Sequence, residues 1–225
     1  MTSRFGAILF DAGGIFVLPD PHVLAPLLAY YGGTTDHDAH IRAHYAGMAV
    51  KSHEGHAERD WSAYNLEYVR HVGVPGEAEE LAAEVLGRTR NAWIWRWPVV
   101  DSVETLRTLV KREVPVGVVS NASGQIERVL RDSAVCQVGD GPGVPVRVVV
   151  DSEVVGVAKP DPAIFDFALP SFEGIDRADI AYVGDSAVMD VGGARAAGLH
   201  PILLDPFGDH PGADFERIER LSELL

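Results

Sequence analysis

The sequence predicts an α/β protein: a Rossmann-like parallel sheet carrying an inserted α-helical segment. Three observations carry this reading. From about residue 99 onward, short apolar runs alternate with stretches of helical periodicity, the pattern of right-handed crossovers in a parallel sheet covered on both faces. Four of the apolar runs end in polar or acidic residues, Asp11, Ser120, Asp151 and Asp185, and strand ends converge on one sheet edge. Residues 15–98 break the alternation, with helical spacing and no β-branched run.

The first run, Ala7-Ile8-Leu9-Phe10, is followed at once by Asp11-Ala12-Gly13-Gly14. A short apolar run bounded by glycines reads as a buried parallel strand. Asp11 then lies where open α/β sheets place their ligands. An acid there can serve as a nucleophile, as a metal ligand or as both; it can also simply cap the next turn. In residues 15–98, Ile41, Tyr45 and Met48 share one helical face, as do Trp61, Tyr64 and Tyr68, and Leu81, Val85 and Leu86 mark another helix. Seven of the nine histidines and all four tryptophans fall in this stretch, which reads as a cap over the strand ends. The expected division is 1–14 with 99–225 as the core and 15–98 as the cap.

In the remaining core, Asp101 with Glu104 forms a candidate capping box for a helix with Val103, Leu106, Leu109 and Val110 inward. Val114 to Val119 reads as a strand ending in Ser120-Asn121, followed by a helix burying Ile126, Val129 and Leu130. Val146 to Val150 reads as a strand. Asp161-Pro162 opens a helix that continues through Phe165, Ala168 and Leu169. Ile180 to Val183 is a strand, residues 187–197 a small-residue helix stopped by Gly198, and Pro201 to Leu204 the last strand. A C-terminal helix from about Asp214 places Phe215, Ile218, Leu221 and Leu225 inward.

The net charge of −14 argues against non-specific nucleic-acid binding and against anionic membranes. It would also repel a phosphorylated substrate unless the site supplies cations. Cys136 is the single cysteine, so no internal disulfide forms. It lies in an irregular stretch and reads as inert. The N-terminus lacks a signal-peptide pattern and no run is long enough to span a membrane; a cytoplasmic location is the expectation.

Four segments carry candidate chemistry: Phe10-Asp11-Ala12-Gly13-Gly14; Val118-Val119-Ser120-Asn121; Gly156-Val157-Ala158-Lys159-Pro160-Asp161-Pro162; and Val183-Gly184-Asp185-Ser186 with Asp190 beyond. Their order and spacing resemble the haloacid dehalogenase-like hydrolase superfamily, in the branch with a helical cap after the first strand, over essentially the whole chain. The resemblance implies that Asp11 attacks phosphorus to form an aspartyl-phosphate. It implies that Ser120, with Asn121, Gly14 and nearby backbone N–H groups, binds the phosphoryl oxygens, and that Lys159 neutralises charge. It further implies Mg²⁺ held by Asp11, Asp185 and the Gly13 carbonyl, and a small phosphorylated metabolite as substrate. Asp190 would orient a metal water or Lys159; equally, it can be a first-turn helix charge.

The chain departs from the family at Gly13, where most of its phosphatases carry a second Asp that protonates the leaving group. Such help is worth about 10²–10⁴-fold. Two rivals stand beside the phosphatase reading. One is a 2-haloacid dehalogenase, which would use Asp11 without metal, with Arg42 lying near the place of the arginine that such enzymes carry. The other is a catalytically weak phosphate-binding protein. His37, His40 and His44 form a helical stripe, read as solvated in preference to substrate-facing or metal-binding. Tyr45 and His44 are the cap side chains expected to influence substrate choice. Trp93, Trp95 and Trp97 read as packing at the cap–core joint in preference to a stacking platform.

Overall fold

The computed structural model describes residues 4–53 and 60–225. In chain order, β1 (Ala7–Phe10) leads to β2 (Val17–Pro19) and four helices, α1 (Pro21–Ala29), α2 (His37–His53), α3 (Ser62–His71) and α4 (Glu79–Thr89). β3 (Trp95–Pro98) returns the chain to α5 (Val100–Lys111), β4 (Val116–Ser120) and α6 (Ile126–Asp132). There follow β5 (Cys136–Val138), β6 (Val144–Val146), β7 (Val149–Asp151), α7 (Ser152–Val155), β8 (Ile180–Gly184), α8 (Gly192–Ala196), β9 (His200–Leu204) and β10 (Glu216–Ile218).

Six strands form one parallel sheet in the order β10-β9-β8-β1-β4-β7. Side-chain alternation divides β1 between two cores. Ile8 and Phe10 pack with Leu106, Leu109 and Leu130 on one face. Ala7 and Leu9 pack with Ile164, Phe165 and Ala194 on the other. Burial on both faces is why these strands read as continuous apolar runs. A third apolar cluster joins α1 to α4 through Leu24, Leu28, Ala43, Tyr64, Tyr68 and Leu86.

Several elements differ from the sequence reading. Residues 15–98 contain strand: β2 and β3 pair antiparallel, with Leu18 opposite Trp97. Three residues on one side and a Trp-rich run on the other are too short for a β-branched pattern. Leu81 is exposed although it shares α4 with buried Leu86. Helix α5 begins at Val100 behind Val99, so Asp101 is a first-turn acid and not a cap. The 146–150 run divides between β6, which pairs with β5, and β7, which joins the main sheet. Cys136 therefore lies in a strand, buried, with its thiol pushed up to about 12 by burial.

The helix read at 162–169 is two 3₁₀ segments, Pro162–Phe167 and Leu169–Phe172, the second opened by Pro170. The helix at 187–197 is a π-turn, Ala187–Val191, running into α8. No helix forms at Asp214: β10 extends the sheet and a 3₁₀ turn, Leu221–Leu224, follows. Ile218 and Leu221 are inward, but Leu225 is exposed. Two apolar residues three apart serve a short strand plus turn as well as a helix. No helix among the described residues is long and apolar enough to cross a membrane.

Candidate active site at the strand ends

The sequence places Asp11, Ser120 and Asp185 immediately after or at the last residue of neighbouring strands β1, β4 and β8, so the sheet order alone gathers them. Gly14 adopts φ +70°, and a Cβ there would overlap Asp185 Oδ2, so the Gly at 14 permits the close approach of the two acidic loops. Asp11, Gly13, Ser120, Asn121, Lys159, Asp185 and Asp190 all line one cavity of about 670 Å³.

Lys159 is the hub. Its Nζ is 3.1 Å from Asp11 Oδ1 and 2.7 Å from Asp190 Oδ1. It also donates to the Tyr182 hydroxyl at 2.7 Å, and that hydroxyl donates to the Val119 carbonyl at 2.7 Å. Lys159 is 1% exposed, so its ammonium is held inside the protein. Burial opposes its charge, but Asp11 and Asp190 outweigh burial and hold its pKa above the ordinary lysine value. Burial pushes the Asp11 carboxyl up to about 7; Lys159 and a Ser120 hydrogen bond oppose that push, and Asp190 and Asp185 add to it. The Ala12 N–H donates to Asp11 Oδ1 at 2.7 Å.

Asp190 also accepts the Ser186 N–H on Oδ2 at 2.9 Å, so both its oxygens are engaged. A Cβ at Gly184 would strike its carboxylate, which is why glycine ends β8. Asn121 tethers the Lys159 segment: its Nδ2 donates to the Lys159 carbonyl at 2.9 Å, and its Oδ1 accepts the Lys159 N–H at 2.8 Å. Asp151 does not line the cavity. It accepts the N–H groups of Gly124, Ile126 and Glu153, a structural use of a strand-end acid.

Asp11, Asp185 and Asp190 each offer an oxygen, and the three lie within 4.8 Å of one another. Hard, clustered oxygen donors of this kind fit a divalent cation such as Mg²⁺. Asp190 is engaged on both oxygens, by Lys159 and the Ser186 N–H, while Asp11 and Asp185, at the ends of adjacent strands β1 and β8, are a pair that could share the ion.

The helical side corrects the histidine reading. His40 and His44 are buried. His40 lies between the Tyr68 hydroxyl, 2.9 Å away, and the Thr34 carbonyl at 3.0 Å, and burial lowers its pKa. His44 places Nδ1 3.0 Å from the Tyr64 hydroxyl and Nε2 3.1 Å from Asp185 Oδ2. Tyr45 donates to the Gly14 carbonyl at 2.7 Å. Neither His44 nor Tyr45 lines the cavity; Met48, Lys51, Trp61, Arg90 and Trp95 do. Histidine periodicity is equally compatible with a wet and a buried face, so its placement depended on partners far along the chain.

The three tryptophans separate. Trp93 is half-exposed, and Trp97 packs against His22 and His37. Trp95 faces the site: a Cβ at Gly13 would lie 3.2 Å and 3.3 Å from its ring carbons Cζ3 and Cε3. The space beside Gly13 is thus bounded by an indole. Arg42 makes a bidentate pair with Asp209 at 2.7 and 2.8 Å and does not line the cavity. Sequence reasoning missed Tyr182, Lys51 and Arg90. Tyr182 alone left a trace, as the one polar-tipped side chain in an otherwise apolar strand.

Residues 6–198 match the sequence profile of the haloacid dehalogenase-like hydrolases. The chain belongs to this family of hydrolases. It is similar to the haloacid dehalogenase-like hydrolase domain-containing protein 3 of Mus musculus, with 34% identity over 146 residues, 64% of this chain and 55% of the relative. It also resembles the phosphoserine phosphatase of Thermus thermophilus, with 33% identity over 59% of this chain and 49% of that protein. For the glyceraldehyde 3-phosphate phosphatase of Methanopyrus kandleri the figures are 30% identity, 70% of this chain and 67% of that protein. The chain spans about half the length of most of the curated relatives it matches. In fold it is similar to a dehalogenase solved with an intermediate complex, at TM-score 0.59 and 19% identity over 100% of this chain and 97% of that one. A phosphatase of the same superfamily from Thermococcus onnurineus gives TM-score 0.57 at 22% identity, covering 97% of this chain and 95% of that one.

Proposed function

We propose that this hydrolase is a Mg²⁺-dependent phosphohydrolase acting on a small phosphorylated metabolite, with 1–14 and 99–225 as its core and 15–98 as a cap that sets substrate choice. The observation that carries the reading is the buried Lys159 ammonium, held 3.1 Å from Asp11 Oδ1 beside Asp185. It sets one fixed positive charge among the strand-end carboxylates of an acidic protein. The relatives named as phosphoserine and glyceraldehyde 3-phosphate phosphatases support the same class.

A carboxylate oxygen of Asp11 attacks phosphorus, the ester P–O bond breaks, and the leaving oxygen departs with the electron pair. Water then attacks phosphorus, the acyl phosphate P–O bond breaks, and inorganic phosphate leaves with Asp11 restored. Ser120 and backbone N–H groups bind the phosphoryl oxygens as charge develops. Lys159, braced by Asp190 and Tyr182, keeps a fixed positive charge beside the reacting oxygens. Asp11, Asp185 and the Gly13 carbonyl would hold Mg²⁺, which would supply further charge neutralisation when bound.

Position 13 offers no proton donor, and no histidine lines the cavity among the described residues. Weakly basic leaving groups, those of acyl and aryl phosphates, therefore leave most readily. The dehalogenase alternative loses its arginine, since Arg42 is committed to Asp209. A panel of phosphomonoesters assayed with Mg²⁺ and with EDTA tests the proposal. Turnover that EDTA abolishes is the expected result. Equal turnover in both removes the metal, and no turnover of any phosphate favours a phosphate-binding protein.

A further inference from the structure

The cavity over Asp11 is polarised. Asp11, Asp185 and Asp190 lie at the strand ends, while two cations, Lys51 and Arg90, lie on the helical wall. Both cations sit on one indole: Lys51 Nζ is 3.6 Å and the Arg90 guanidinium carbon 4.2 Å from the Trp61 ring centroid. Cations stack favourably on indole faces, but stacking leaves the in-plane N–H groups of a guanidinium unused. Arg90 Nη1 donates one of them to the side-chain Oδ1 of Asn65 at 2.8 Å. Among the described residues it has no carboxylate partner, whereas the other half-buried arginines, Arg42 and Arg107, are paired with Asp209 and Glu104. Burial lowers the pKa of Arg90, the cost of a partly desolvated cation that lacks a counter-charge.

A fork of donors held flat by an indole, facing a cavity and lacking a carboxylate, is pre-organised for a planar or tetrahedral anion. The phosphoryl group is already accounted for at the strand ends by Lys159 and Ser120. We propose that Arg90, held on Trp61 and aided by the Lys51 charge, binds a second anionic group of the substrate, a carboxylate or a phosphate, at the end remote from the transferred phosphoryl. The inference deepens the phosphohydrolase reading and rests on it for the identity of the first group.

The test is binding, which needs no turnover. Calorimetry on the Asp11→Asn protein compares glycerol phosphate, phosphoglycerate and propanediol bisphosphate. The expected result is that at least one of the two-anion probes binds about tenfold or more tightly than glycerol phosphate. Whichever does so tells carboxylate from phosphate. In Asp11→Asn with Arg90→Gln that ratio falls to about one, and with Arg90→Lys, which keeps the charge but not the fork, an intermediate ratio remains. Equal affinities for all three probes overturn the inference, as does a ratio that survives Arg90→Gln, or a failure of both two-anion probes to bind. Failure of the phosphohydrolase reading registers separately, as a natural protein that turns over no phosphate ester while the binding ratio persists.

Discussion

At the strand ends, Lys159 touches Asp11, Asp190 and the Tyr182 hydroxyl, and no polar atom of the lysine lacks a partner. On the helical wall, Arg90 has one polar partner among the described residues, Asn65. The same cavity thus holds a cation whose charge is matched inside the protein and a cation whose charge is not. A matched group is rigid and fixed in charge, which suits chemistry that is the same for every substrate. An unmatched group gains its partner only from a ligand, which suits selection. Substitutions at the strand ends should therefore change the rate for all substrates, and substitutions on the wall should reorder them.

The largest effect is expected from Asp11→Asn. It removes the nucleophile and keeps the shape, so turnover falls by at least about a thousandfold for every phosphate tested. The melting temperature stays within about 3 °C of the natural protein, because Lys159 keeps Asp190 and Tyr182 as partners and the repulsion of Asp11 by Asp185 and Asp190 is relieved. Steady-state kinetics and a thermal melt check both. Activity above a few per cent would count against a covalent role.

The comparison is sharpened where the wall meets the strand ends, at Gly13 and Trp95. Gly13→Asp alone brings its Cβ to 3.2 Å from the Trp95 ring, so the new carboxyl is forced aside and alkyl-phosphate turnover does not rise. Combined with Trp95→Leu, which clears the ring, the same substitution raises alkyl-phosphate kcat/KM by up to about 10²-fold. Aryl phosphates, which need little protonation, change far less. A rise from Gly13→Asp without the second change would mean that the indole yields freely.

The smallest effect on turnover belongs to a buried carboxylate away from the cavity. Asp205 accepts the Asp209 and His210 N–H groups at 2.8 and 3.2 Å and Arg217 Nη1 at 2.8 Å. Burial works to raise its pKa, but Arg217 and the two N–H groups outweigh burial and hold it below the ordinary carboxylate value. A depressed pKa contributes stability above the unfolded value, about 3.9, and loses it as pH falls through the folded one. Asp205→Asn should cost about 1–3 kcal/mol at neutral pH and leave kcat/KM unchanged. The gap between variant and natural protein, measured by denaturant melts across pH, should close on acidification below about pH 4. A gap that widens there would reverse the sign of the linkage.

The parallel sheet was legible in the sequence because strands buried on both faces must be continuously apolar, and Ala7 to Phe10 and Ile180 to Val183 are. The gathering of Asp11, Ser120 and Asp185 was legible for a related reason: a parallel sheet aligns its strand ends, so a polar residue after each run reaches the same edge. Lys159 was legible only through its neighbours Pro160, Asp161 and Pro162, since a lone lysine carries no periodicity. Tertiary structure decided the remainder. His44 bonds Asp185 across 141 residues, Trp95 meets Gly13 only because β3 pairs with β2, and Arg90 gains its setting from Trp61 and Asn65 on another helix and its cap. Local spacing fixes which face a side chain occupies; the partner waiting there is set by packing between segments distant in the chain, where hydrogen bonds and charge decide and periodicity is silent.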